Sequence, residues 1–225
     1  MPGIDTREVA LRQRRLAAVS PALPESAVPA GTRGAILRAS LILFAETGFH
    51  GTSIRQLAAS VGITTATLYA HFPSKDDVLA ELITVGHEQM WRALEAAAAE
   101  HTDPADRLVA LVGAHARMHI DYAALAVVIN NELHVLPAAR AEAALAQRDK
   151  CFHLLADTIR AGAADGRFEV DAPPLAAVAI ASMCMRIAHW YNPALAYTPD
   201  QIVDQYTGYA LDLLRARRTS PTARP

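Results

Sequence analysis

TSIRQLAASVGITTATLYAHFPSK, residues 52–75, decides how the rest of this chain is read. Ile54, Leu57, Ala58 and Val61 recur at helical spacing, and either Thr52 or Ser53 offers a side-chain oxygen as the N-cap. Gly62 stands where the first helix must end, in a left-handed conformation that glycine adopts at least cost. Ile63 fills the elbow, and Thr64 caps a second helix running through Leu68 to His71. Ala58 is small enough for the two helices to approach, with Leu57, Val61, Ile63 and Leu68 on the hidden side. A buried second helix would be apolar throughout. Instead Thr64, Thr65, Thr67, Tyr69 and His71 give this one a hydrogen-bonding face, of residue types that reach phosphates and base edges. Lys75 falls at the start of the next helix, beside its positive end, where a phosphate would be held. The pattern is that of a helix-turn-helix whose second helix enters the major groove of DNA. Any helical hairpin shares the spacing; the polar second helix separates the two.

The box LYAHFPSKDDVL, residues 68–79, closely resembles the TetR family of bacterial repressors, and TRGAILRASLILFAETGFHGTSIRQLA, residues 32–58, is similar to it as well. The likeness is dense over residues 32–83 and architectural beyond. It implies a homodimer binding a double-stranded, pseudo-palindromic operator, released by a small hydrophobic effector. It also implies that Arg55, Thr65, Thr67 and Tyr69 approach bases or their backbone, while Ser53, Thr64, His71 and Lys75 hold phosphates. Arg55, a fork of donors, is the candidate guanine contact.

Working outward, the expected fold class is all-α: a three-helix head over residues 32–78 and a larger helical ligand-binding and dimerisation body over residues 79–218. Apolar residues make up 52% of the 225, with few alternating β-branched runs. The net charge of −2 divides unevenly. Residues 1–75 hold eight Lys/Arg against four acids, and the surplus of acids lies in the body, so positive charge gathers where phosphate attraction requires it. In the first head helix, residues 32–47, Ile36, Ala39, Leu43 and Phe44, with Leu37 and Ile42 beside them, form the expected core stripe, closed by Gly48; Phe49 plugs the core, and Arg33 and Arg38 are expected in solvent, Arg33 within reach of a phosphate. Residues 1–31 read as a basic arm (Arg12, Arg14, Arg15) and a proline-rich linker; the arm either tracks phosphate or is a solvated tail. Residues 219–225 read as a frayed tail.

Ser74 caps a long helix to about residue 99, with Asp76 and Asp77 facing its positive end. Further helices are expected over residues 104–120, 121–133, 137–161, 174–190 and 198–217, punctuated by prolines, with a polar loop at residues 162–171. No apolar run approaches the roughly 20 residues that span a bilayer, and the N-terminus lacks an apolar signal core, so a cytoplasmic protein is expected. Cys151 and Cys184 lie far apart and form no CxxC pair. No Walker loop, GxSxG or HExxH is present, so no enzyme, cofactor or metal site is expected. His115 and His119, four apart, lack a third ligand and read as pocket-lining or partly buried residues.

The penultimate helix, LAAVAIASMCMRIAHWY, is apolar nearly throughout and should be buried on more than one side. Arg186 interrupts it. The guanidinium either meets an anionic ligand, with Trp190 four residues on to stack against a flat group, pairs with Glu132 or Asp157, or reaches solvent at a dimer seam. HWYNPALAYTPDQI, residues 189–202, resembles the W-Y-x-P box of TetR repressors that govern fatty-acid or sterol breakdown and sense acyl-CoA thioesters, although Ala194 and Leu195 stand where a glycine often follows the proline. That resemblance implies an acyl-CoA or related hydrophobic acid, with Arg186, Trp190, His115, His119 and Asn130 as ligand-binding candidates. A neutral drug-like ligand, or a helical carrier or enzyme, is the alternative. The last two helices, with Leu175, Val178, Ala181, Ile187, Ile202, Tyr206, Tyr209, Leu213 and Leu214, are expected to form the dimer seam.

Overall fold

The structure, a computed structural model, describes residues 21–216. The basic arm and the frayed tail lie outside the described residues. Among those described, nine α-helices follow one another: α1 Gly31–Gly51, α2 Ile54–Val61, α3 Thr65–His71, α4 Lys75–Ala99, α5 Pro104–Asp121, α6 Ala123–Asn131, α7 Ala138–Ala164, α8 Pro173–Trp190 and α9 Pro199–Leu213. Single 3-10 turns occupy Glu25–Ala27 and Leu133–Val135. The fold is all-helical, and each expected helix is present with its ends shifted by a few residues.

The caps follow local chemistry. Ser53, not Thr52, is the N-cap of α2, in a reciprocal box with Gln56. Thr52 is buried and its hydroxyl donates to the Gly48 carbonyl at 2.9 Å. Gly62 ends α2 at φ 73° and ψ 29°, the left-handed conformation its position demands. Thr64 caps α3 by accepting from the Thr67 amide, and Ser74 accepts from the Asp77 amide at the head of α4.

The contacts divide the described chain into two compact units. One gathers the residues up to His87 with His119–Ala144 and Arg186–Leu195, so α6 belongs with the head helices rather than with a separate body. Residues Ala123 to Ile129 of α6 are all buried, as expected of a helix apolar on every side, and α6 packs along α1. Of the expected α1 stripe, Ile36, Leu37 and Phe44 are buried, whereas Ala39, Ile42 and Leu43 are only half-buried and Ser40, Leu41 and Ala45 are buried in their place. The register turns by about one position because α1 is covered on two sides, by the head helices and by α6. The regular part of α1 ends at Gly48, as expected. That residue kinks the helix at φ 74° and ψ 166°, and a last turn carries on to Gly51 with Phe49 buried.

The second unit comprises Glu88–Met118, Leu145–Met185 and the described residues from Ala196. Its core holds Leu108, Val112, Leu155, Ile159, Phe168, Ile180, Cys184, Ala210 and Leu214. Phe168 is a surprise within the polar loop: the Arg167 and Phe168 amides fold back onto the Gly162 carbonyl at 2.8 and 3.0 Å and drive the ring inward. Arg167 reaches Asp103 in an ion pair. Burial pushes the thiols up, Cys151 to about 11 and Cys184 to about 12. Among the described residues no helix is long and apolar enough to cross a membrane.

Candidate nucleic-acid interface

Only Leu68 of α3 is buried; Thr65, Ala66, Thr67, Tyr69 and Ala70 stand exposed, as does the cap Thr64. A helix held by one leucine and capped at its start is a face offered to something else. Tyr69 is half exposed at 50% even though tyrosine carries a large apolar ring. Thr64 and Thr67 hydroxyls share a 2.9 Å bond, leaving Thr65 as the unencumbered threonine at the start of the helix. Arg55, in the first turn of α2, is exposed, and Ser53 beside it is exposed but committed to the Gln56 box. His71 is half-buried, and its carbonyl accepts from Arg33. The fork of Arg55 and the threonine edge of α3 therefore carry the hydrogen-bonding capacity expected of a base-reading surface.

Two cations are placed otherwise than expected. Lys75 does not project to solvent: its ammonium donates to the carbonyls of Phe49 and Thr52, both at 2.7 Å, and lies 4.1 Å from the Phe49 ring centroid. Desolvation lowers its pKa, against the opposing pull of Asp76 and Glu132. A lysine that satisfies the carbonyls of the kinked end of α1 is a structural tie, with at most one donor left for a phosphate. Arg33 is likewise occupied, by a two-pronged pair with Glu81 and by stacking 4.0 Å over the Phe72 ring. Neither partner is legible in the sequence, because each lies more than twenty residues away along the chain. Gln56 is the opposite case: it has no expected role above, yet its place three residues after Ser53 is the sequence signal of a capping box.

Residues 101–214 match the family described as Tetracyclin repressor-like, C-terminal domain, and residues 36–82 match Bacterial regulatory proteins, tetR family. The chain belongs to the TetR family. Over 194 residues it is 25% identical to the HTH-type transcriptional repressor KstR2 of Rhodococcus jostii, covering 85% of this chain and 95% of that one. Among solved structures, a TetR-family regulatory protein from Rhodococcus RHA1 superposes with a TM-score of 0.78 at 26% identity, over 87% of this chain and 100% of the other. AibR in complex with isovaleryl coenzyme A and operator DNA shares the fold, with a TM-score of 0.73 at 22% identity over 81% and 98%. A TetR-family chain of this kind is a DNA-binding transcriptional repressor, not an enzyme.

The ligand-binding candidates are not all brought together. His119 is buried on α5 and its Nε2 lies 3.3 Å from Asn130 Nδ2 on α6, so these two meet. His115 falls in the other compact unit. Trp190 is half-buried, but Arg186 is exposed, which removes the argument that its burial demands an anion. Of its expected acidic partners, Glu132 accepts from the Phe49 amide and Asp157 pairs with Arg160. In the single chain α8 is buried on one side, while Leu175, Val178, Ala179, Ser182 and Arg186 form an open stripe at helical spacing. Groups of three or more His, Cys, Asp or Glu able to hold a metal ion are absent among the described residues.

Proposed function

We propose that this TetR-type repressor works in the cytoplasm as a homodimer, its head, residues 32–78, gripping a pseudo-palindromic operator until a hydrophobic ligand bound by residues 79–218 releases it. The observation that carries the DNA half is the exposure of α3, which buries one leucine and leaves its threonines and Tyr69 exposed, as is Arg55 in the first turn of α2. Arg55, Thr65, Thr67 and Tyr69 are the base-side contacts; Ser53, Thr64 and His71 serve phosphate, and Lys75 serves it only through its one remaining donor.

For the ligand we favour an acyl-CoA thioester or related hydrophobic acid. AibR, of the same fold, was solved with isovaleryl coenzyme A and operator DNA, and the W-Y-x-P resemblance of residues 189–202 points the same way. His119 and Asn130 supply the polar pair, hydrogen-bonded amid the buried Ala, Val and Leu of α6; Arg186, exposed in the single chain, becomes an anchor only if ligand or a second chain covers it. A neutral drug-like ligand is the alternative, in which His119 and Asn130 would meet a hydroxyl or carbonyl alone.

The test is an electrophoretic shift with the DNA immediately upstream of the chain's own gene, repeated with isovaleryl-CoA and longer acyl-CoAs. We expect a salt-sensitive, sequence-specific shift that an acyl-CoA reverses. Release by tenfold needs only about 1.4 kcal/mol of differential binding. A shift that no thioester alters leaves the repressor and refutes the ligand class.

A further inference from the structure

The turn that joins α1 to α2 is held from outside the helix-turn-helix. Phe49 follows the kink at Gly48, and its amide donates to Glu132 Oε1 at 3.2 Å, from the C-terminal end of α6. The same carboxylate would lie 3.4 Å from a Cβ built on Gly48, so it packs against the kink itself. On the turn's other flank Lys75 ties the carbonyls of Phe49 and Thr52, and Glu132 acts on Lys75 through its charge. Thr52 immediately precedes the cap Ser53 and lies three residues before Arg55, so the position of this turn sets where the first turn of α2 points.

Eight residues beyond Glu132, Arg140 of α7 makes a second hold. Its guanidinium lies 3.1 Å from Asp77 Oδ1 and donates to Ser74 Oγ at 3.3 Å, the capping pair beside Lys75. Leu133 and Leu136, between the two holds, are buried and fix the strap in place. Charge-assisted bonds at both ends converge on one junction, from which α2 and α3 project.

We propose that Glu132 and Arg140 are positioning residues for operator binding, acting through the Phe49 turn and the α4 cap to hold Arg55 and α3 in register within a single head. The inference rests on the operator-binding reading but not on any ligand. It places a point of control inside one protomer, where a shift of α6 would reach Arg55 without any change in the distance between two heads.

The test uses the full chain and a duplex selected by the wild-type protein from random sequence. Glu132→Ala should weaken binding to that duplex by about five- to tenfold, the scale of a modest coupling. Glu132→Gln, which keeps an oxygen for the Phe49 amide, should stay within about twofold. Hydrogen exchange at the Phe49 amide should quicken in Glu132→Ala but not in Glu132→Gln. Arg140→Ala should weaken binding in the wild-type background and add little to the paired Ser74→Ala and Asp77→Ala variant, which lacks both partners of its guanidinium. A full additional loss from Arg140→Ala in that paired background would mean that Arg140 touches DNA directly, and the inference would fall. It also falls if Glu132→Ala binds as wild type, or loses affinity only in proportion to its unfolded fraction. If the wild-type chain selects no sequence at all, the operator reading fails first and takes this one with it.

Discussion

Lys75 and Arg55 separate what a residue's neighbours along the chain reveal from what they hide. Both are cations of the helix-turn-helix, and both suit DNA by residue type. Arg55 stands exposed, whereas Lys75 is tied to two backbone carbonyls. Lys75→Ala should therefore lower stability by about 1.5–3 kcal/mol, the scale of bonds made by a charged donor, and weaken every duplex alike. Arg55→Ala should leave the melting temperature nearly unchanged, cost about 1–3 kcal/mol in operator binding and relax base preference at one position. Paired thermal melts and binding titrations check both; equal melting losses in the two variants would overturn the contrast. The caps at Ser53, Thr64 and Ser74 and the left-handed Gly62 are legible in the sequence because each acts within about four residues of itself. The partners of Lys75, Arg33 and Glu132 are not, since contacts 23 to 83 residues apart leave no trace in local spacing.

At the scale of elements, the helices are legible from period and proline, but their companions are not. The run over residues 121–133 is legible as a helix, yet nothing in it says that it packs with the head. Gly86 on α4 records that packing: a Cβ there would lie 2.6 Å from Ile129 Cγ2 and 3.3 Å from Leu125 Cγ. Alanine at this helical site would ordinarily stabilise by about 1 kcal/mol. Here the clash should win, and Gly86→Ala should destabilise by about 1–3 kcal/mol in urea unfolding. Its effect should be less than additive with Ile129→Ala, which removes the obstructing methyl. The start of α5 makes a pH-dependent prediction. Desolvation works against ionised Asp103, but amides from Asp106 and Ala105, then Arg167, outweigh it and hold its carboxyl below the ordinary value. A depressed folded pKa adds stability that is present above the unfolded pKa and lost as pH falls through the folded one. The urea midpoint should therefore drop more steeply below about pH 4 in wild type than in Asp103→Asn, and parallel curves for the two would refute the role.

For the whole molecule, the division of charge is legible in the residues alone: a basic first third and an acidic remainder suit a chain that meets DNA at one end. The proposed second copy of the chain is where the apolar surface matters. Leu175 is 70% exposed, Val178 48%, Tyr209 54% and Leu213 43%, all on α8 and α9. Ala181 and Tyr206 are half-buried, whereas Ile187, Ile202 and Leu214, also expected in the seam, are buried within the chain. Period alone cannot tell an apolar face that meets its own core from one that meets a partner. The open residues then carry the association, and substitutions there should spare the protomer. Leu175→Glu combined with Val178→Glu should leave the helical content intact while placing charge in the seam, where an unpaired carboxylate is costly. At micromolar concentration, sedimentation should turn from dimer to monomer. The melting temperature should lose its dependence on protein concentration, since association no longer contributes to it. Operator affinity should fall steeply, because two linked heads gain an effective concentration that single heads lack. Ile187→Glu is the contrast: it buries a charge inside the protomer and should unfold it. If the double variant still sediments as a dimer, or the wild-type chain is already a monomer, α8 and α9 do not form the seam.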